Sequence, residues 1–183
     1  MAEAVNQGAD AKTRAVLSPD EGETVWLRKL GIRFMIGGED TQDNFALVEH
    51  PIGPRALAAP MHTHRYEDEY TYVLEGEVGV QVGDEVLLAR PGDLVFKPRG
   101  VQHAFWNPSD EPARALEIIS PAGFERYFAE LAPLFPPANQ GPMDAKAVDA
   151  VREKYGLEMD MGSIPVLAER HGLQVDAPPP SGK

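Results

Sequence analysis

Between Val25 and Ser120 the chain is a succession of short apolar runs punctuated by Gly and Pro: TVWLRKLGIRFMIGG, QDNFALVEHPIG, DEYTYVLEGEVGVQVGDEVLLARPGDLVFKPRG and VQHAFWNPSDEPARALEIIS. Runs of this length with turn residues between them predict an all-β sandwich or barrel rather than alternating βαβ units. Val78, Val80 and Val82 alternate with Gly79 and Gln81, the period of a half-buried strand, and Gly83-Asp84 supplies a tight turn into Glu85 to Leu88. After Pro121 the period changes. Phe124, Tyr127, Phe128 and Leu131 fall at i, i+3, i+4 and i+7, an apolar stripe on a helix that Pro133 stops. Asp144 is the expected N-cap of a second helix running through Tyr155 and closed by Gly156, and Ile164 to His171 a third, with Gly172 as its C-cap. The expected organisation is a flexible tail over 1–23, a barrel over 24–122, a helical segment over 123–175 and a proline-rich disordered tail over 176–183. No internal repeat is visible, so one barrel is expected and not a duplicated pair.

Composition narrows the functions open to such a barrel. With 183 residues there is chain enough for one domain with its own core. A formal charge of −12 argues against nucleic acid and anionic membrane as partners, since both require a basic surface. The acidic amino terminus lacks the apolar stretch of a cleaved signal, and no window approaches the roughly 18 apolar residues of a membrane span, so a soluble, cytoplasmic protein is expected. Cysteine is absent, which removes disulfides, thiolate metal sites and a cysteine nucleophile and leaves oxygen and imidazole groups for any chemistry.

The five histidines are His50, His62, His64, His103 and His171. His62 and His64 are two residues apart, and strand geometry puts both imidazoles on one face. Glu69 follows His64 after four residues and Gly76 follows Glu69 after six; a second block runs Gly92, Pro98, Gly100, His103, Asn107. At these spacings the chain resembles the cupin family, whose two motifs take the form seen here as HTHRYEDEYTYVLEG and GDLVFKPRGVQHAFWN. One position departs: the glycine that opens the first motif is Ala56 here, with Gly53 nearby. The resemblance implies a small jelly-roll, or double-stranded β-helix, barrel holding one divalent transition metal, Fe, Ni, Mn, Co or Zn, on His62, His64, Glu69 and His103, with two coordination positions left for substrate and a small molecule. Gly76, Gly92 and Gly100 are read as turn glycines with positive φ.

Strand parity extends this to a pocket. Thr71 and Val73 should share the face of Glu69, and Val101 and Phe105 that of His103, with Phe45, Met61, Phe96 and Trp106 as further aromatic or apolar candidates. No Lys or Arg occupies an obvious inward position; Arg65, Lys97 and Arg99 fall in loops or on unassigned faces. His50 is expected to end a strand and His171 to be a helix-end cation.

The resemblance, together with GFERYFAELA after the barrel, favours a quercetinase-like dioxygenase that binds an enediol, flavonol or polyketide-like substrate through oxygen, with Glu69 as both ligand and general base. A non-oxidative isomerase or cyclase and a non-catalytic small-molecule-binding cupin are the alternatives. Expected partners are a small-molecule substrate, dioxygen and a second copy of the chain; the helices after Pro121 could close the barrel or pack outside it.

Overall fold

Nine of the first ten strands come from the runs described above, and β4 from the segment that ends in His62 and His64: β1 (Thr24–Leu27), β2 (Leu30–Ile36), β3 (Ala46–Ile52), β4 (Leu57–His64), β5 (Asp68–Glu75), β6 (Val78–Val82), β7 (Glu85–Ala89), β8 (Leu94–Lys97), β9 (His103–Trp106) and β10 (Ala113–Ser120). The computed structural model describes residues 16–135 and 144–175; of the flexible tail expected over 1–23 residues 1–15 lie outside the described residues, as does all of the disordered tail expected over 176–183. Beyond the barrel come α1 (Glu125–Leu131), a 3-10 turn (Ala132–Leu134), α2 (Ala145–Lys154), an eleventh strand β11 (Leu157–Met159) and α3 (Ser163–His171). A single helical turn, Gly38–Thr41, bridges β2 and β3.

The strands form two antiparallel sheets, in the orders β1-β2-β3-β10-β5-β8 and β11-β4-β9-β6-β7. This is the expected all-β jelly-roll barrel with a helical appendage. Its core lies between the sheets, where Ile32, Val48, Ile52, Val73, Val78, Val80, Ala115 and Ile119 are fully buried. The hairpin from β6 to β7 turns at Gly83 with φ +57°, and the motif glycines Gly76, Gly92 and Gly100 all have positive φ, as read from the sequence. At Gly76 there is a second constraint, because a Cβ would approach Pro112 O to 2.7 Å.

The carboxy-terminal segment does two jobs. Phe124 and the stripe of α1 turn inward over one mouth of the barrel, with Phe124, Tyr127, Phe128 and Leu131 all buried. The helix α3 instead covers the outside of the small sheet, where Leu167 and Leu173 pack with Met61, Ala104 and Trp106. Asp144 caps α2 by accepting from the Lys146 and Ala147 amides at 3.1 Å, and Gly172 ends α3 with φ +64°, both as the sequence predicts. The strand β11 was not predicted; it adds to the small sheet by pairing Leu157 with His64 and Met159 with His62. Three residues between two helices carry no alternation long enough to read. No helix among the described residues is long and apolar enough to cross a membrane.

Candidate metal centre

The sheet register assembles the site. His62 and His64 project inward from β4, and His62 is the cross-strand partner of His103 on β9. Glu69 reaches them from the start of β5, in the other sheet. All four side chains are buried, and one donor atom from each lies within 4.8 Å of the others. The imidazole centroids are 4.3 to 5.4 Å apart.

Backbone carbonyls set the tautomers. His62 Nδ1 lies 2.7 Å from Pro60 O and His103 Nδ1 lies 3.0 Å from Val101 O. A carbonyl only accepts, so each Nδ1 carries the hydrogen and each Nε2 keeps its lone pair for the centre. His64 faces two carboxylates, Glu69 Oε1 at 3.4 Å from Nε2 and Glu67 Oε2 at 3.5 Å from Nδ1. Burial, then the neighbouring imidazoles, holds His62 well below its ordinary pKa, and burial likewise lowers His103, so both rings are neutral near pH 7.

Burial opposes ionisation of Glu69, yet the opposing His64 and Lys97 side chains outweigh it and hold the carboxyl well below the usual range. Both nitrogens of His64 and Nε2 of His103 are buried without a hydrogen-bond partner. Neutral imidazoles at His62 and His103 beside one ionised carboxylate fit a divalent transition ion, and an ion there would satisfy Nε2 of His103 and one nitrogen of His64.

His62 and Glu69 of the centre line a cavity of about 370 Å³, toward the small end of the usual range for small-molecule sites. Leu57, Phe105, Phe124, Phe128, Leu131 and Met159 supply much of its apolar lining. Phe124 meets His64 edge-on at 4.2 Å, so α1 roofs the centre directly.

Three polar residues in this cavity escaped the sequence reading. Lys97 is the cross-strand partner of Glu69 and only 1% exposed; its ammonium lies 2.9 Å from Glu69 Oε2, 3.1 Å from Glu117 Oε2 and 5.0 Å from the Phe105 ring centroid. Glu117, on β10, also accepts from Thr71 Oγ1 at 2.8 Å. Burial pushes its pKa up to about 7, Lys97 and Thr71 working against that rise and Glu69 with it. His50 sits within β3 instead of ending it, and its Nδ1 donates to Gly31 O at 2.9 Å. Burial brings its pKa to about 4, so it is a neutral imidazole on the cavity wall.

Of the pocket residues expected from parity, Phe105 lines the cavity, while Thr71 and Val73 are buried on the inward face of β5. The others lie elsewhere. Phe45 (37% exposed) precedes the inward Ala46, and Phe96 (49% exposed) alternates with the inward Val95 and Lys97, so both face outward. Met61 alternates with His62 and packs under α3, and Trp106 lies on that same outer face. Val101 belongs to the loop before β9 and contributes its carbonyl to His103 and not its side chain to the cavity. His171 stacks flat on Trp106 at 4.2 Å, away from the centre, and burial with Arg170 lowers its pKa, against the expected helix-end cation.

Residues 49–119 match the family model described as a cupin domain. These residues form a cupin domain. Among curated relatives, this cupin is 41% identical over 61 residues to the tetracenomycin polyketide synthase protein TcmJ of Streptomyces glaucescens, covering 33% of this chain and 40% of that one. It is 25% identical over 122 residues to quercetin 2,3-dioxygenase of Bacillus subtilis (strain 168), covering 67% and 36%. The chain therefore spans well under half the length of both. The solved structure of the polyketide cyclase RemF from Streptomyces resistomycificus superposes with a TM-score of 0.52 at 27% identity, over 59% of this chain and 80% of that one.

Proposed function

We propose that this cupin is a metal-dependent enzyme acting on a flat, aromatic or polyketide-like substrate, and that its reaction is a non-oxidative enolisation leading to ring closure. One observation carries the reading: the imidazole and carboxylate cluster shares a largely apolar cavity with a buried ammonium, Lys97, and a second carboxylate, Glu117. A divalent ion on His62, His64, Glu69 and His103 would supply Lewis-acid polarisation of a substrate carbonyl or phenol oxygen. The chain's own residues do the rest. Phe124, Phe128 and Leu131 keep water from the reacting atoms, which strengthens every charge interaction inside. Lys97 places a fixed positive charge beside the position where enolate charge develops. His50, neutral and with Nδ1 committed to Gly31, offers Nε2 as an acceptor that can orient a substrate hydroxyl. Similarity to the polyketide cyclase RemF supports ring closure as the outcome, and similarity to the polyketide synthase protein TcmJ supports a polyketide-like substrate.

The dioxygenase expected from the sequence is the second reading, supported by the intact four-residue cluster and the likeness to quercetin 2,3-dioxygenase. Oxygen decides between them. Zn(II)-loaded protein should convert polyketide-like polyphenols under strict anaerobiosis; conversion that needs both dioxygen and a redox-active metal selects the dioxygenase. For assembly the proposal is a homodimer, supported by the edge that β1 presents in the six-stranded sheet and checked by sedimentation velocity.

A further inference from the structure

The geometry points to Glu117, and not Glu69, as the residue that takes the proton from an enolisable or phenolic substrate. This inference rests on reading the cavity as a site for such a substrate. Glu117 is 1% exposed and lines the cavity. Its Oε2 is pinned by two donors, Thr71 Oγ1 at 2.8 Å and Lys97 Nζ at 3.1 Å, whereas its Oε1 is buried and has no hydrogen-bond partner among the described residues. A buried carboxylate oxygen left without a donor costs about 1–3 kcal/mol, so its retention on a cavity wall calls for a donor that arrives with the ligand. A substrate hydroxyl or acidic C–H meets that description.

Glu69 is unsuited to the role. Its two oxygens face His64, His103 and Lys97, and those neighbours stabilise its ionised form and weaken it as a base. Glu117 has the opposite balance, since burial raises its proton affinity into the range of a base that works near neutral pH. Lys97 links the two carboxylates. It fixes Glu117 through Oε2, keeps Oε1 free, and leaves its charge beside the anion that forms.

The step balances without a further reactant. The substrate C–H or O–H bond breaks, an O–H bond forms at Glu117 Oε1, and the electron pair stays on the substrate as enolate or phenolate. The proton returns to carbon or to a departing hydroxyl later in the cycle, with no change of oxidation state.

The test uses the full chain loaded with Zn(II) and 2-hydroxyacetophenone as probe, a phenol with an enolisable methyl ketone. Hydrogen–deuterium exchange of its methyl group is followed by proton NMR in deuterated buffer under argon, beside metal content and probe affinity. Wild type should accelerate exchange over buffer. Glu117→Gln should keep one metal per chain and bind the probe within about threefold, yet lose about 100-fold or more in exchange, the scale of one general base. Glu117→Asp, which keeps a carboxylate, should recover part of that rate. Exchange by Glu117→Gln within threefold of wild type overturns the assignment alone, as does an equal loss in Gln and Asp variants that also lose metal. A metal-loaded wild type inert toward the probe overturns both the assignment and the enolisation reading beneath it.

Discussion

Replacing Lys97 by Met removes one charge from a buried set of three while nearly keeping the volume. In the native chain Glu69 and Glu117 are both almost fully buried and share this single ammonium, at 2.9 and 3.1 Å. Without it two carboxylates share an apolar pocket, and stripping one partner from a buried ion pair costs about 3–5 kcal/mol. For a chain of this size each kcal/mol moves the midpoint by about 2–4 °C, so the metal-free variant should melt about 6–20 °C below wild type at pH 8. Two controls follow from the same charges. A divalent ion on Glu69 replaces part of the lost positive charge, so the deficit should shrink when Zn(II) is added to both proteins. Protonation of Glu117 relieves the repulsion as well, so the deficit should be smaller at pH 6 than at pH 8. Differential scanning calorimetry with and without chelator measures all three. A metal-free Lys97→Met protein that melts with wild type at pH 8, or loses equally at both pH values, would show that the ammonium is not what holds the two carboxylates.

Other consequences are independent of that network. His103→Ala removes a proposed ligand whose tautomer is preset by Val101 O, and metal content by plasma emission should fall well below one per chain while the far-ultraviolet dichroism is unchanged. Gly79→Ala puts a Cβ 2.2 Å from Trp106 Nε1, on the face that α3 covers; it should cost about 1–3 kcal/mol in denaturant unfolding, with m preserved. Glu117 has a folded pKa of about 7 against an ordinary 4.5, so the folded state binds more protons and stability should decline as pH rises from about 4.5 to 7, by up to about 3 kcal/mol for this one group. Glu117→Gln should flatten that stretch of the metal-free stability profile; a profile as steep as wild type would assign the slope to other groups.

Much of the fold was legible because the barrel strands obey period two and the turns carry glycines at positions where φ is positive. The cluster that could hold a metal was legible for a related reason: His62, Glu69 and His103 stand at fixed distances from Gly76, Gly92 and Gly100, so turn positions index the positions of its side chains. Where parity rested on apolar residues alone it misled. In Leu94–Lys97 three of four residues are apolar, and either phase looks acceptable; the structure puts Val95 and Lys97 inside and Phe96 outside. In β10 Leu116 and Ile118 mark one apolar phase and Ala113, Ala115 and Ile119 the other, and the second is the one turned in, taking Glu117 with it.

The linear chain by itself determined the strands, the turns and the donor set, because each depends on local geometry or on short, fixed spacings. Tertiary structure decided what surrounds the donors. A lysine and a glutamate are stable inside an apolar barrel only when they meet each other, and Lys97 and Glu117 meet because β5 lies between β8 and β10 in one sheet. Packing likewise decided that the stripe of α1 roofs the centre while α3 covers the outer sheet, since an amphipathic helix records that it must bury a face and not which surface it buries.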